Sequence, residues 1–183
     1  MPLQSVVAAK GVRALAGERD VSRLVKQGDR IPSVRLARQG ENGIEGVPLD
    51  GELSGRRVAI VGVVGAFTPV CTEDHVPEFV SGAAAIRRLG YDRVICVVPN
   101  DPWTVKAWAE QVDPQGRVTF LSDGNLELAR RLGVAMQGQD YYLGERSRRY
   151  LLIAVDGSIE RLTVEASPLT VSCTGPSELR AAA

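Results

Sequence analysis

Two runs of aliphatic and β-branched residues, "RVAIVGVV" at 57–64 and "RVICVV" at 93–98, constrain this chain more than any other feature. A strand with one wet face alternates apolar with polar residues. These runs do not alternate, so each reads as a strand buried on both faces. Such strands belong inside a parallel sheet covered by helices, and the segments between them fit that role. Val76, Phe79, Val80, Ala83 and Ile86 recur at helical spacing, Gly90 is placed to end the helix, and Pro77 suits its first turn after a kink. Asp101 and Pro102 cap a second helix with Val105, Trp108 and Val112 on one face.

The remaining segments extend the pattern. Residues 30–56 are rich in Gly and turn residues, which predicts an N-terminal hairpin and a loop. "RVTFL" reads as a strand, and Leu128, Ala129 and Leu132 mark a short helix. "RYLLIAV" and "SIERLTVEA", joined by Asp156-Gly157, make a hairpin, and Pro176 opens a short terminal helix. Alternating strands and helices followed by a hairpin predict an α/β, thioredoxin-like fold with an N-terminal hairpin extension. Its central sheet is expected to be mostly parallel and flanked by helices.

Of the 183 residues, 44% are apolar, enough for one core, and no repeat or linker divides the chain. We expect a single domain over residues 25–183, preceded by a segment at 1–24. Residues 1–17 hold Lys10 and Arg13 but no acid; a disordered or docking tail is the expected reading, and an organelle transit sequence, which this composition resembles, is the alternative. The cytoplasm is the expected location, with mitochondrion or plastid as the alternative. Basic and acidic residues number 22 each, so nothing in the charge favours a nucleic acid or an anionic membrane as partner. The longest nearly unbroken apolar run, Val58 to Phe67, is half the length of a bilayer span.

The three cysteines, Cys71, Cys96 and Cys173, are too few for a secreted disulfide framework. Their spacing matches no zinc pattern and His75 is the only histidine. No phosphate-loop signature follows Gly62 or Gly65, so neither metal nor organic cofactor is implied. Trp103 and Trp108 read as surface and core packing rather than a base-stacking platform.

Cys71, in "GAFTPVCTEDHVPEF", is the residue with chemistry to explain. Only a thiolate is a good nucleophile, and a helix start offers it free N–H groups and the positive dipole end. Cys71 also follows a buried strand, at the sheet end where open α/β folds bind ligands. Thr68 is placed to offer its hydroxyl to the sulfur or to a substrate oxygen. One rival is a Cys–His hydrolase using His75, four residues on; a general base, however, normally comes from a separate element. An inert helix-start cysteine is the other.

The segment resembles the active-site region of peroxiredoxins, specifically the type II or atypical two-cysteine group. The likeness continues through "RVICVVPNDPWTVKAWA" and "LGERSRRYLLIAVDGSIE", covering roughly residues 25–175. It implies a thiol-dependent peroxidase with Cys71 as peroxidatic cysteine, Thr68 as the threonine of the P-x-x-x-T-x-x-C motif and Arg149 as the active-site arginine. The expected substrates are hydroperoxides, the reductant is thioredoxin, glutaredoxin or glutathione, and the assembly is a homodimer. A peroxide sensor that oxidises once without cycling is the alternative function. Without the resemblance, Arg149 in "ERSRR" reads as an exposed cation.

One position departs from the motif: Val64 stands where the family has proline. The family supplies two precedents for the thiol that resolves the oxidised cysteine. Cys173, 102 residues after Cys71, resembles the resolving cysteine of animal-type members, and Cys96, 25 residues after it, that of plant-type members. Cys173 is the expected one, because "SPLTVSCTGP" reads as a mobile, exposed stretch, whereas Cys96 lies in a strand expected to be buried.

Overall fold

The structure, a computed structural model, describes residues 24–182. The segment at 1–23, where the targeting or tail reading falls, lies outside the described residues.

Among the described residues the first elements are a hairpin of β1 (Arg35–Gly40) and β2 (Gly43–Pro48), followed by a one-turn helix α1 (Leu49–Leu53). Next come β3 (Arg57–Gly62), a π-helical turn at Cys71–His75 and α2 (Val76–Arg88). Then β4 (Arg93–Val98), α3 (Pro102–Val112), β5 (Thr119–Ser122) and α4 (Glu127–Leu132) follow in turn. Two three-residue strands, β6 (Ala135–Gln137) and β7 (Glu145–Ser147), pair with each other. The chain closes with β8 (Tyr150–Val155), β9 (Ser158–Val164) and a 3-10 helix at Pro176–Ala182.

Seven strands form one mixed sheet in the order β2-β1-β5-β4-β3-β8-β9. Its parallel part is β3, β4 and β5; β8 and β9 join antiparallel on one side, and the β1–β2 hairpin on the other through the single pair Ala37↔Ser122. The expected parallel sheet is therefore its centre, and the two hairpins make its wings.

The buried runs behave as their lack of alternation requires. In β3, Val58 and Ile60 join one core cluster while Ala59 and Val61 join the other. In β4, Ile95 and Val97 face the first, and Val94, Cys96 and Val98 the second. Successive side chains point to opposite faces, so the sheet is a wall between two cores. Residues of α1 and α4 pack on one face, and those of α2 and α3 on the other, the face that also holds Cys71.

Local signals also act as expected. The Asp101 carboxylate accepts from the Thr104 N–H at 2.9 Å, capping α3 behind Pro102. Asp156 and Gly157 take φ of 47° and 72°, the left-handed pair that a two-residue hairpin loop needs. Trp108 is fully buried and Trp103 largely exposed.

One pairing places the site. Gly62, the last residue of β3, lies opposite Tyr150, the first of β8, and a Cβ on Gly62 would collide with the Tyr150 ring. Arg149 thus leaves the sheet at the end where β3 runs into the Cys71 loop.

Candidate active site

The loop carrying Cys71 is held from the neighbouring strand. Val63 N–H still reaches Val97 O at 3.2 Å, and Ala66 N–H donates to Asn100 Oδ1 at 3.0 Å, just beyond β4. Phe67 has φ of 59°, a left-handed conformation that costs a bulky side chain and marks a constrained loop. Thr68 closes it: its Oγ1 donates to Gly65 O at 2.8 Å, and its carbonyl accepts the first helical bond, from Thr72 N–H at 3.0 Å.

Cys71 is buried in the first turn, as its sequence position indicates, but the turn is π rather than α, with Val76 N–H bonding back to Cys71 O. Pro77 has no N–H to continue a regular ladder, and the wide turn absorbs the irregularity. A π turn also brings residues four apart closer to one line along the helix. Cys71 and His75 consequently meet the same guanidinium. Trp108 Nε1 donates to Thr72 Oγ1 at 3.1 Å and braces the turn from α3.

That guanidinium belongs to Arg149, which is only 1% exposed. Its Nη1 donates to Cys71 Sγ at 3.3 Å and to His75 Nδ1 at 3.0 Å, and its Nη2 to Pro168 O at 3.0 Å. The reading of Arg149 as an exposed cation, made from the "ERSRR" composition, is corrected here. The Gly62↔Tyr150 pairing, invisible in that composition, places the residue at the strand ends beside the Cys71 loop, where it is buried.

His75 is buried as well, and Nε2 lies 3.0 Å from Thr174 O, a group that only accepts. The proton therefore sits on Nε2, and Nδ1 accepts from Arg149. Burial, with help from the Arg149 charge, lowers the His75 pKa from 6.5 to about 4, against the raising effect of the Thr174 carbonyl. With both ring nitrogens engaged, His75 has no lone pair to take a proton from Cys71, and the Cys–His hydrolase arrangement is not formed.

The structure brings Cys71 and Arg149 together. Thr68 sits one helical turn before Cys71, its hydroxyl proton given to Gly65 O and not to the sulfur. Cys173 departs from expectation. Its segment lacks regular structure, but it is neither loose nor fully exposed. Cys173 is half-buried, and its N–H donates to Glu165 Oε1 at 2.8 Å. Cys96 is buried in β4, where burial pushes its thiol pKa well up. All three thiols are free.

Glu165 and Thr174 carried no signal in the sequence. Glu165 follows β9, is 2% exposed, and collects donors from Ser172, Cys173 and Thr174. Burial by itself would raise its pKa. The hydrogen bonds from Cys173 N–H, the Ser172 hydroxyl and amide, and the Thr174 hydroxyl outweigh burial and hold it at about 2. A cavity of about 230 Å³ lies beside this network, lined by Arg148, Arg149, Glu165, Met136, Tyr141 and Pro168 among others. Among the described residues no group of His, Cys, Asp and Glu gathers as ligands for a metal ion. Nor is any helix among them long and apolar enough to cross a membrane.

Two expected results follow from this geometry. Unfolded His75 takes up a proton near pH 6.5 and folded His75 near 4, so stability falls as pH drops through that window. Glu165, protonated near 4.5 unfolded and 2 folded, extends the loss from 4.5 downward. Thermal unfolding across pH should show both steps, and His75→Gln should remove the upper one. Val64 is buried beyond the end of β3, and among the described residues no hydrogen bond engages its N–H. Val64→Pro therefore removes no ladder bond, and the variant should fold with peroxide reactivity at or slightly above wild type. Loss of the folded state in circular dichroism would show that proline cannot take this backbone.

Comparison with known proteins decides the family. The family described as Redoxin matches residues 26–177. Peroxiredoxin-2C of Oryza sativa subsp. japonica is 37% identical over 131 residues, 71% of this chain and 81% of that protein. The chain belongs to the type II peroxiredoxin family. The mitochondrial Peroxiredoxin-2F of Arabidopsis thaliana is 32% identical to this peroxiredoxin over 177 residues, 92% of this chain and 88% of its own length. Two chloroplastic relatives, Peroxiredoxin-2E-2 of rice and Peroxiredoxin-2E of Arabidopsis thaliana, are longer, and the chain spans 64% of each.

Solved structures agree on the fold. Reduced Prx3 from Vibrio vulnificus in complex with H2O2 superposes on this peroxiredoxin with a TM-score of 0.81 at 28% identity, covering 87% of this chain and 100% of that one. Peroxiredoxin 5 from Alvinella pompejana gives 0.75 at 30% identity, over 86% and 97% of the two chains.

Proposed function

We propose that this peroxiredoxin is a thiol-dependent peroxidase that reduces hydrogen peroxide and organic hydroperoxides to water and alcohols. The reading rests above all on one observation, the buried Arg149 Nη1 donor 3.3 Å from Cys71 Sγ. A cation fixed there by His75 and Pro168 places a charge-assisted donor on the attacking sulfur, and such a hydrogen bond is worth more in a buried site than in water. The thiolate attacks the terminal oxygen of the hydroperoxide, the O–O bond breaks, and the departing alkoxide or hydroxide takes up one proton, equal to the one the thiol released on ionising. Cys71 is left as a sulfenic acid.

Arg149 Nε is buried and has no hydrogen-bond partner among the described residues, which leaves it to donate to the oxygen that gains charge. Thr68 Oγ1, its proton committed to Gly65 O, keeps its lone pairs to accept from the peroxide O–H. No metal and no organic cofactor enters this cycle.

Cys173 is the proposed resolving thiol. It condenses with the sulfenic acid, releasing water and forming a Cys71–Cys173 disulfide that an external thiol reduces. Cys96 is the less accessible candidate, since using it requires opening a core strand. The proposed reductant is a thioredoxin-type dithiol, with glutaredoxin and glutathione as the other donors to compare. Sedimentation tests the proposed homodimer. The cytoplasm is the proposed location, with plastid or mitochondrion, named in several relatives, as the alternative that a reporter fused after residues 1–24 would separate.

The deciding experiment is a coupled assay with each donor in turn. Repeated turnover supports a peroxidase. A single oxidation without cycling assigns the site to peroxide sensing.

A further inference from the structure

Glu165 carries a buried negative charge, and among the described residues it has no ion pair. A buried carboxylate without a cation persists only where hydrogen-bond donors replace its water. Here three consecutive residues supply them. Oε1 accepts from Ser172 N–H at 2.7 Å, Cys173 N–H at 2.8 Å and Thr174 Oγ1 at 2.9 Å, and Oε2 from Ser172 Oγ at 2.7 Å. Glu165 is itself anchored, because its N–H donates to Arg149 O at 2.9 Å and its carbonyl accepts from Arg148 Nη2 at 2.7 Å. The same segment meets the peroxide site, since Thr174 O takes the His75 Nε2 proton while His75 Nδ1 accepts from Arg149.

We propose that Glu165 is a positioning residue that latches the Cys173 segment in its reduced-state place and so limits how fast Cys173 reaches the oxidised Cys71. The proposal rests on Cys173 being the resolving thiol. A disulfide requires Cα atoms within about 7 Å and a defined S–S geometry. Moving Cys173 toward Cys71 pulls its N–H off Glu165 Oε1 and strips a donor from a buried charge that has no ion pair among the described residues. The latch thereby sets the lifetime of the sulfenic acid between two fates. In one, Cys71–SOH and Cys173–SH give the disulfide and water. In the other, Cys71–SOH and a second hydroperoxide give the sulfinic acid and one more alcohol or water.

The test separates oxidation from resolution. Reduced wild type and Glu165→Gln are rapidly mixed with hydrogen peroxide, quenched at intervals and mapped by mass for thiol, disulfide and sulfinic acid at Cys71. Glutamine keeps the size but removes the charge and turns one acceptor into a donor. Disulfide formation in E165Q should be faster by about tenfold, the order expected when a charged hydrogen bond no longer holds the ground state. The sulfinic fraction at a given peroxide excess should fall in step, while the rate of Cys71 oxidation stays within about twofold.

A residue that only supports the fold would shift both rates or neither. Ser172→Ala, which removes one hydroxyl donor and keeps the carboxylate, should accelerate resolution by a smaller factor, and it decides the question alone if E165Q does not fold. Wild type forming the Cys71–Cys173 disulfide, with neither variant faster, overturns the latch and leaves the resolving assignment standing. Wild type forming no such disulfide overturns both.

Discussion

Cys71→Ser should reduce peroxidase turnover to the uncatalysed background while leaving the fold intact. Serine is close in size, and the Cys71 side chain is buried among apolar residues of one core cluster, so the substitution disturbs packing little. The chemistry is a different matter. A hydroxyl at neutral pH is not the anion that attacks an O–O bond, and the Arg149 contact cannot make it one. Steady-state assays with hydrogen peroxide and cumene hydroperoxide read the loss, and circular dichroism checks the fold. Retained turnover would move the reactive thiol to Cys96 or Cys173.

Arg149→Ala should slow the oxidation of Cys71 by on the order of a hundredfold or more, the usual scale for removing a preorganised donor at a site of developing charge. The cost has two parts. The sulfur loses its 3.3 Å donor, and the buried His75 Nδ1 loses its own, as does Pro168 O. Arg149→Lys should recover only part of the rate. An ammonium keeps the charge, but it cannot reach three separate acceptors from one planar fork. Rapid mixing with peroxide, followed by the disappearance of the free Cys71 thiol, measures the step apart from resolution. Equal rates for wild type and the alanine variant would leave Arg149 as a packing residue.

The parts of the fold that were legible in the sequence are those governed by nearby residues. The non-alternating runs of β3 and β4, the Asp101–Pro102 start of α3 and the Asp156–Gly157 turn each act over a few positions, and each takes the expected form. The elements missed are too short for a periodicity. Helix α1 presents only Leu49 and Leu53 to the core, and β6 and β7 have three residues each. The site divides in the same way. Cys71 is readable because a helix start is a local event, and the kink expected around Pro77 takes the form of the π turn.

Arg149 is readable only through the family motif, since its burial depends on where β8 pairs with β3. His75 showed its spacing of four from Cys71, but not that both its nitrogens would be taken. The composition around Cys173 correctly marks a segment without regular structure. It could not reveal that Glu165, eight residues earlier and across a turn of chain, would collect the donors of that segment. Small polar residues look the same in sequence whether their hydrogen bonds go to water or to a buried carboxylate.

The central claim is that a Cys71 thiolate held by Arg149 is the peroxide-reducing centre. Its most direct test is to mix the reduced protein with one equivalent of hydrogen peroxide in the presence of dimedone, which traps sulfenic acids, and to map the adduct by peptide mass. The account predicts a dimedone adduct on Cys71, absent from Cys96 and Cys173, and formed far more slowly in the Arg149→Ala variant. An adduct on Cys96 or Cys173 with Cys71 unmodified, or an Arg149→Ala variant that labels Cys71 as fast as wild type, would contradict it.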